Sequence, residues 1–257
     1  MIIRFYTEVT LGPKTIIELS AKQTHYIDAV MRRNKSDKIL FFNGKDGEWV
    51  GYLETTCSPS WTVRINSMIR SQLLEPDIAL AFAPVKKART DFIIEKATEL
   101  GVSKFMPIIT QRTMSNRVNL IRMRSTAQKA AEQSERLTLP IIFSPITLIN
   151  FLQQWPDTKP IFFLNEAGSG NPIFNELFNH KLPIGILTGP EGGFSQSEIS
   201  TLRSFPFVKP ITLGPRVLKS ETAALSAIAC FQAALGDWRT RTRMNIAKRT
   251  NPQNKEN

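Results

Sequence analysis

Cysteine and histidine are scarce in this chain, with two of each among 257 residues. Cys57 and Cys230 are too few and too far apart for a disulfide framework or a zinc cluster. They predict a reducing, cytoplasmic setting and no structural metal. Long apolar runs are also lacking. The longest helix-compatible one, residues 223–235, is interrupted by Ser226 and Gln232 and is too short to cross a bilayer. The opening MIIRFYTEVTLGP lacks the charged-then-apolar layout of a secretory signal, and no membrane partner is expected. Neither the G-x-G-x-x-G of dinucleotide folds nor the Gly-Lys-Ser/Thr of a P-loop occurs. What is present, 42% apolar and 21% charged residues, is ordinary for a soluble globular protein and excludes global disorder. The length fits one large domain or two modest ones.

Charge is plentiful and uneven. The formal net charge is +11. Residues 86–136 hold eleven Lys and Arg against five Asp and Glu, and the tail 237–257 holds six against two. Residues 137–236 balance at six of each. A basic excess confined to one block and one tail reads as a footprint for a polyanion, beside the plainer reading of a solvated basic face.

Residues 1–72 read as a small all-β module. β-prone runs at 2–6, 16–19, 38–42, 48–53 and 61–69 are separated by turn signals such as Leu11-Gly12-Pro13 and Asn43-Gly44-Lys45-Asp46-Gly47. One helix is predicted at 24–31. Five short strands at close spacing predict a barrel, and residues 73–77, with Pro76, read as a linker. From residue 78 the texture changes. Continuous apolar runs at 78–83, 105–109, 161–164, 184–187 and 211–213 suit strands buried on both faces. Between them lie helical patterns. One is capped by Thr90, carries Ile93, Ile94, Ala97 and Leu100 at helical spacing and closes at Gly101; others cover 120–133, 198–204 and 221–235. The alternation predicts an α/β domain over 78–238, with a mostly parallel sheet covered by helices. The tail 239–257 is polar, basic and aperiodic, and is expected to be disordered.

Three loops after strands of this domain carry the chemistry: Asn165-Glu166-Ala167-Gly168, Thr188-Gly189-Pro190-Glu191-Gly192-Gly193-Phe194-Ser195, and the segment from Leu213 to Ala223. Ligands of parallel sheets bind outside the carboxyl ends of the strands, so the three could converge on one pocket. Glu191 stands where a phosphate cradle would want a base, and Pro190 removes an amide donor. A neutral or cationic ligand suits such loops better than a phosphate. Two tight turns in an ordinary α/β protein are the plainer reading.

Together, Gly189 to Ser195 with Glu198, and Leu213 to Ala223, resemble the cofactor loops of the SPOUT methyltransferase superfamily. More narrowly, residues 2–236 are similar to the family that methylates N3 of a uridine in small-subunit (16S) ribosomal RNA. Arg4-Phe5-Tyr6, His25 to Arg32, KKARTDFIIEKATELG at 86–101, Thr110-Gln111-Arg112-Thr113 and Ala131 to Arg136 match as well. The chain departs from that pattern where it has Arg112-Thr113 and Val217-Leu218-Lys219-Ser220; Lys219 lacks the bidentate fork of an arginine. The resemblance implies S-adenosylmethionine as cofactor and a trefoil-knotted, mostly parallel sheet with helices on both faces, preceded by a PUA-like barrel. It also implies a homodimer, 16S rRNA or the small subunit as partner, and no metal. The cofactor residues it implies are Leu164, Asn165 and Glu166, then Thr188, Gly189, Pro190 and Gly192, then Leu213, Gly214, Leu218, Thr222 and Ala223.

Methyl transfer to uridine N3 needs an unpaired base, a cation for the charge developing on the ring and an acceptor for the N3 proton. Arg216 is the candidate cation, and Glu191 or Glu221 the candidate acceptor. Equally, Glu221 could cap the final helix with Arg216 paired to it. Glu198 is expected to complete a capping box with Ser195. For phosphate contact the candidates are Arg4, Arg32 and Arg33, and Lys86, Lys87, Arg89, Arg112, Arg117, Arg122, Arg124 and Arg136. Two other functions fit parts of the sequence: a different SPOUT reaction, at ribose 2′-O or guanine N1, and a non-catalytic rRNA-binding assembly protein.

Overall fold

The computed structural model describes residues 2–55, 60–113, 118–165 and 170–239. Cys57, Arg117, Glu166 and the tail from residue 240 lie outside the described residues. Contacts divide the chain into two units. Among the described residues the first runs to Leu74 and includes Glu132–Thr138; the second comprises Glu75–Ala131 and residues 139–239.

In the first unit, β1 (Ile3–Tyr6), β2 (Ile16–Glu18), β3 (Lys38–Phe42), β4 (Glu48–Thr55) and β5 (Trp61–Arg70) form one ladder in the order β1-β3-β4-β5-β2. Only the β1–β3 pairing is parallel. Alternation along β5 sends Val63 and Ile65 inward and Arg64 and Asn66 outward. They join Phe5, Ile17, Ile39, Phe41 and Leu53 in one core. The β3–β4 turn works as its sequence suggests. Asn43 Oδ1 accepts from the amides of Lys45 and Asp46, and Gly44 and Gly47 take φ of +79° and +82°. The helix expected at 24–31 begins earlier, as α1 (Ala21–His25), and continues as a π-turn over Tyr26–Val30. Its N-terminus is a capping box between Ser20 and Gln23.

Two arginines expected on RNA are buried in this unit. Arg4 Nε lies 2.5 Å from Glu48 Oε1, and its other nitrogens donate to the carbonyls of Glu132 (2.8 Å) and Arg136 (2.9 Å). Arg70 reaches the other oxygen of Glu48 at 3.2 Å and donates to the Glu135 carbonyl. These carbonyls fall at and just past the end of a helix, where no intrahelical donor remains and the dipole favours cations. Glu48 is fully buried, and Arg4 and Arg136 are each 8% exposed. Burial pulls the Arg4 guanidinium below its ordinary value, and the Glu48 carboxylate opposes that. Arg4 and Arg136 therefore leave the set of phosphate contacts.

The second unit holds an eight-stranded sheet whose pairings are all parallel. Its strands are β6 (Ile78–Phe82), β7 (Lys104–Ile109), β8 (Ile141–Ile142), β9 (Ile146–Thr147), β10 (Ile161–Leu164), β11 (Asn171–Pro172), β12 (Ile184–Thr188) and β13 (Val208–Thr212). The order is β11-β13-β10-β12-β6-β7-β8, with β9 also on β7. Among the described residues six α-helices accompany it: α2 (Lys87–Glu99), α3 (Leu120–Ser134), α4 (Leu148–Gln154), α5 (Ile173–Leu177), α6 (Gln196–Ser204) and α7 (Ser220–Ala234). Period-two alternation splits the strands between two cores. Ile78, Leu80, Phe82, Ile184 and Ile186 meet α2, α3, α5 and α7. Ala81, Leu187, Ile161, Phe163 and Val208 meet α4 and α6 on the opposite face. Helices thus cover both faces.

Local chemistry accounts for several helix ends. Gly101, at φ +88°, stops α2. Ser195 and Glu198 make the expected capping box on α6, and Glu198 also accepts from the amide of Gln111. Thr90, expected as the cap of α2, lies inside its first turn. The helix starts three residues earlier, and the Thr90 hydroxyl bonds back to the amide and carbonyl of Val85.

Candidate active site

Three adjacent strands, β13, β10 and β12, end at the same edge of the sheet, and the loops that follow them enclose a cavity of about 540 Å³. Leu164 and Asn165 line it after β10, Thr188 to Glu191 after β12, and Thr212 to Lys219 after β13. Phe163, Phe194, Ile199 and Ile211 supply apolar wall, and Ser220 and Ala223 close it from the start of α7.

Hydrogen bonds fix the walls. The Ser220 hydroxyl donates to the Gly189 carbonyl at 2.7 Å and lies 3.1 Å from the Thr188 hydroxyl, joining the glycine loop to α7. Within the loop the Gly193 amide donates to the Pro190 carbonyl, and Gly193 takes φ +65°. Gly189 has no positive φ, but a Cβ there would stand 2.7 Å from the Phe194 ring. It is glycine because the aromatic ring occupies that space. Gly214, at φ +103°, turns the chain after β13.

The charged groups are arranged differently from either sequence reading. Arg89, in the first turn of α2, places Nη1 3.1 Å from Glu191 Oε1 and Nε 3.7 Å from Glu221 Oε1. One guanidinium therefore serves the acid of the glycine loop and the acid in the first turn of α7. Arg216, on the cavity wall, is exposed and makes no ion pair among the described residues, so the expected Arg216–Glu221 pairing does not form. Arg112 donates from Nη1 to the Gly192 carbonyl at 2.7 Å.

Of the residues expected at the cofactor, Leu164, Asn165, Thr188, Gly189, Pro190, Leu213, Gly214, Leu218 and Ala223 line this cavity; Gly192 and Thr222 do not. Of the proposed catalytic groups, Glu191 and Arg216 line it and Glu221 does not. Phe163 and Ile199 lie outside the loops singled out in the sequence, whereas Phe194 and Ser220 lie within them but were not among the residues expected at the cofactor. The serine has a legible signal, because it is the first residue of a strongly patterned helix at the end of its loop. Arg89 was expected on phosphate, and its guanidinium is instead committed to two carboxylates. Arg122 is likewise held by Asp91 through bidentate hydrogen bonds. Lys86, Lys87, Arg112 and Arg124 are exposed in this unit, as is Arg32 in the first; Arg33 is half-buried near Asp37.

Comparison with known proteins gives this site its context. A family model described as an RNA methyltransferase domain matches residues 73–232. The ribosomal RNA small subunit methyltransferase E of Rickettsia conorii is 34% identical over 231 residues, covering 88% of this chain and 93% of its own length. Its namesake from a Synechocystis species is 31% identical over 236 residues, covering 88% and 77%. Among solved structures, the Neisseria gonorrhoeae protein of the same name, bound to S-adenosyl methionine, has a TM-score of 0.82 at 27% identity, covering 93% of this chain and all of that one. A Legionella pneumophila methyltransferase with bound SAM has a TM-score of 0.81 at 29% identity, covering 92% and 99%. By the family model and by these relatives along nearly its whole length, the chain belongs to the RNA methyltransferase domain family, in the branch of the ribosomal RNA small subunit methyltransferases E.

Proposed function

We propose that this protein transfers a methyl group from S-adenosylmethionine to N3 of a uridine in 16S ribosomal RNA. The observation that carries the reading is the cavity at the ends of β10, β12 and β13, in a chain that resembles a SAM-bound small-subunit rRNA methyltransferase over 93% of its length. The residues present fit that cofactor. About 540 Å³ lies within the roughly 300–1,000 Å³ of small-molecule pockets. Apolar walls suit an adenine ring, and Asn165, Thr188 and Ser220 are buried polar groups beside backbone amides and carbonyls. Leu164 and Asn165, Thr188 to Pro190, Leu213, Gly214, Leu218 and Ala223 would hold it. When bound, S-adenosylmethionine supplies an electrophilic methyl group on a sulfonium centre.

The chain's own residues do the rest. Uridine N3 lies on the pairing edge, so the base must be unpaired before it can react. Arg216, exposed on the cavity wall, stabilises negative charge on the uracil as the N3 proton leaves. Glu191 lines the cavity, and one carboxylate oxygen is engaged by Arg89; its Oε2 is the proposed acceptor of that proton. Glu221 does not line the cavity and is assigned to holding Arg89. Lys86, Lys87, Arg112 and Arg124, with Arg32 and Arg33 of the first unit, are the proposed phosphate contacts.

The first unit is read as a PUA-like RNA-binding barrel, which its five-stranded ladder and single core support. The second is read as a trefoil knot. Supporting this, β12 and β13 flank β10, and α7 packs back on β12 after β13 has formed on the other side. The proposed assembly is a homodimer, consistent with exposed Phe174, Phe178 and Val217. A ribosomal substrate makes the cytoplasm the proposed place of action.

The test incubates the protein with labelled S-adenosylmethionine and small ribosomal subunits, and identifies the modified nucleoside by mass spectrometry. Recovery of 3-methyluridine is expected. A different methylated nucleoside would move the acceptor to ribose 2′-O or guanine N1. Failure to bind the cofactor would leave only an RNA-binding protein.

A further inference from the structure

Arg89 is the one described cation that touches acids of two cofactor loops at once. It sits on a pinned base: its amide donates to the Lys86 carbonyl, and the neighbouring Thr90 hydroxyl bonds to both backbone groups of Val85. From there the guanidinium reaches Glu191, at the crest of the glycine loop, and Glu221, in the first turn of α7. Glu191 and Glu221 are like charges gathered around a single cation. Without it they would repel across the joint where the loop meets α7. The loop's other ties are the Ser220 hydroxyl on the Gly189 carbonyl and the Gly193 amide on the Pro190 carbonyl. The crest is held by Arg89, through Glu191, and by Arg112, through the Gly192 carbonyl.

We infer that Arg89 is a positioning residue for the cofactor: it neutralises Glu191 and Glu221 together and so holds the glycine loop against the start of α7. This rests on the cofactor assignment proposed above. It separates Arg89 from its neighbours Lys86 and Lys87, which are exposed and make no ion pair among the described residues. It also gives Glu191 a defined orientation, with Oε1 turned to Arg89 and Oε2 left for the substrate.

The test reads binding of S-adenosylhomocysteine by calorimetry in the absence of RNA, beside the melting temperature. Arg89→Gln is expected to weaken binding about tenfold, the sum of two partly exposed ion pairs and the repulsion they mask. Adding Glu191→Gln to it removes one of the two repelling charges and is expected to restore affinity to within about threefold of wild type. Arg89→Lys keeps the charge and loses the fork, and is expected to fall between. In turnover assays KM for S-adenosylmethionine is expected to rise about tenfold in Arg89→Gln, and kcat at saturating cofactor to fall as well, because Glu191 loses its orientation. Arg89→Gln binding within twofold of wild type would overturn the inference, as would a double variant no tighter than the single. Loss of RNA affinity with cofactor affinity intact would return Arg89 to the phosphate contacts. If wild type itself fails to bind S-adenosylhomocysteine, the cofactor assignment falls first and the inference with it.

Discussion

Replacing Gly189 with alanine tests the cavity wall with a single methyl group. The backbone there is not in the left-handed region, so alanine meets no conformational penalty and the effect is steric. The added Cβ would lie 2.7, 3.0 and 3.3 Å from three carbons of the Phe194 ring. That ring has little room to retreat. It is 8% exposed, stacks edge-on against Phe163 at 5.2 Å and packs in the core with Leu187 and Leu202. Overpacking of this kind costs about 1–3 kcal/mol. At about 2 kcal/mol, the melting temperature of a domain this size falls by roughly 4–8 °C. Phe194 also lines the cavity, so relief comes by pushing the ring into the ligand space, and S-adenosylhomocysteine affinity should fall at least about tenfold. Thermal melts and calorimetry on Gly189→Ala, Phe194→Leu and the double variant separate the effects. Leucine frees the space, so the double variant should be more stable than the two single changes predict by addition. A Gly189→Ala protein with unchanged melting and affinity within twofold, or an additive double variant, would refute the steric account.

Glu48→Gln should cost about 3–5 kcal/mol in urea unfolding, because it leaves the buried Arg4 and the adjacent Arg70 without a compensating anion; a loss below about 1 kcal/mol would contradict it. Acid should destabilise the second unit through two aspartates. Arg122 hydrogen bonds hold Asp91 below the usual carboxylate range, and at Asp77 burial pushes up but hydrogen bonds from Lys104 and Ser103 prevail. Depressed carboxyls contribute stability above the unfolded value of about 3.9 and lose it as pH falls through the folded one. Melting temperature should therefore be insensitive to these groups at pH 6–8 and drop below about pH 4, with a shallower drop in Asp91→Asn. Arg216→Ala should lower kcat by about 10²–10³ with S-adenosylhomocysteine affinity within threefold. Normal methylation by that variant would remove Arg216 from the chemistry.

Legibility from sequence followed the strength of the local pattern. The apolar run at Ile78–Phe82 and the glycine stop at Gly101 could be read directly, because a strand buried on both faces and a left-handed cap each leave a compact signature. Two-residue strands such as β8, β9 and β11 leave none; they exist because β7 and β13 offer an edge. Helix α4 had a signal, a Thr147 cap followed by Leu148, Phe151 and Leu152 at helical spacing, but seven residues give too few periods to stand out. For the cavity, the loops carried the information and the walls did not. Phe194 and Ile199 face the ligand space only because α6 folds under the glycine loop.

The arginines show where such reading stops. Arg4, Arg89 and Arg122 belonged to one set of candidate phosphate contacts in the sequence, yet each is held by a partner far along the chain. Arg4 meets Glu48, 44 residues away, and the Arg136 carbonyl, 132 away; Arg89 meets Glu191 across 102 residues. Pairing leaves net charge unchanged, since every acid engaged was already counted. What it changes is where the field originates. A cation held by a carboxylate contributes little at distance, whereas an exposed unpaired one contributes fully. With Lys96 held by Glu95 and Glu99 and Lys104 by Asp77, the described cations that remain open in the basic block are Lys86, Lys87, Arg112, Arg124 and Lys129. Lys86 and Lys87 stand at the start of α2, where the helix dipole adds to their attraction for an anion. Three residues on, Arg89 faces the cofactor loops. One helix start thus offers charge to the substrate backbone and order to the cofactor cavity, a division of labour that composition alone assigns wholly to RNA.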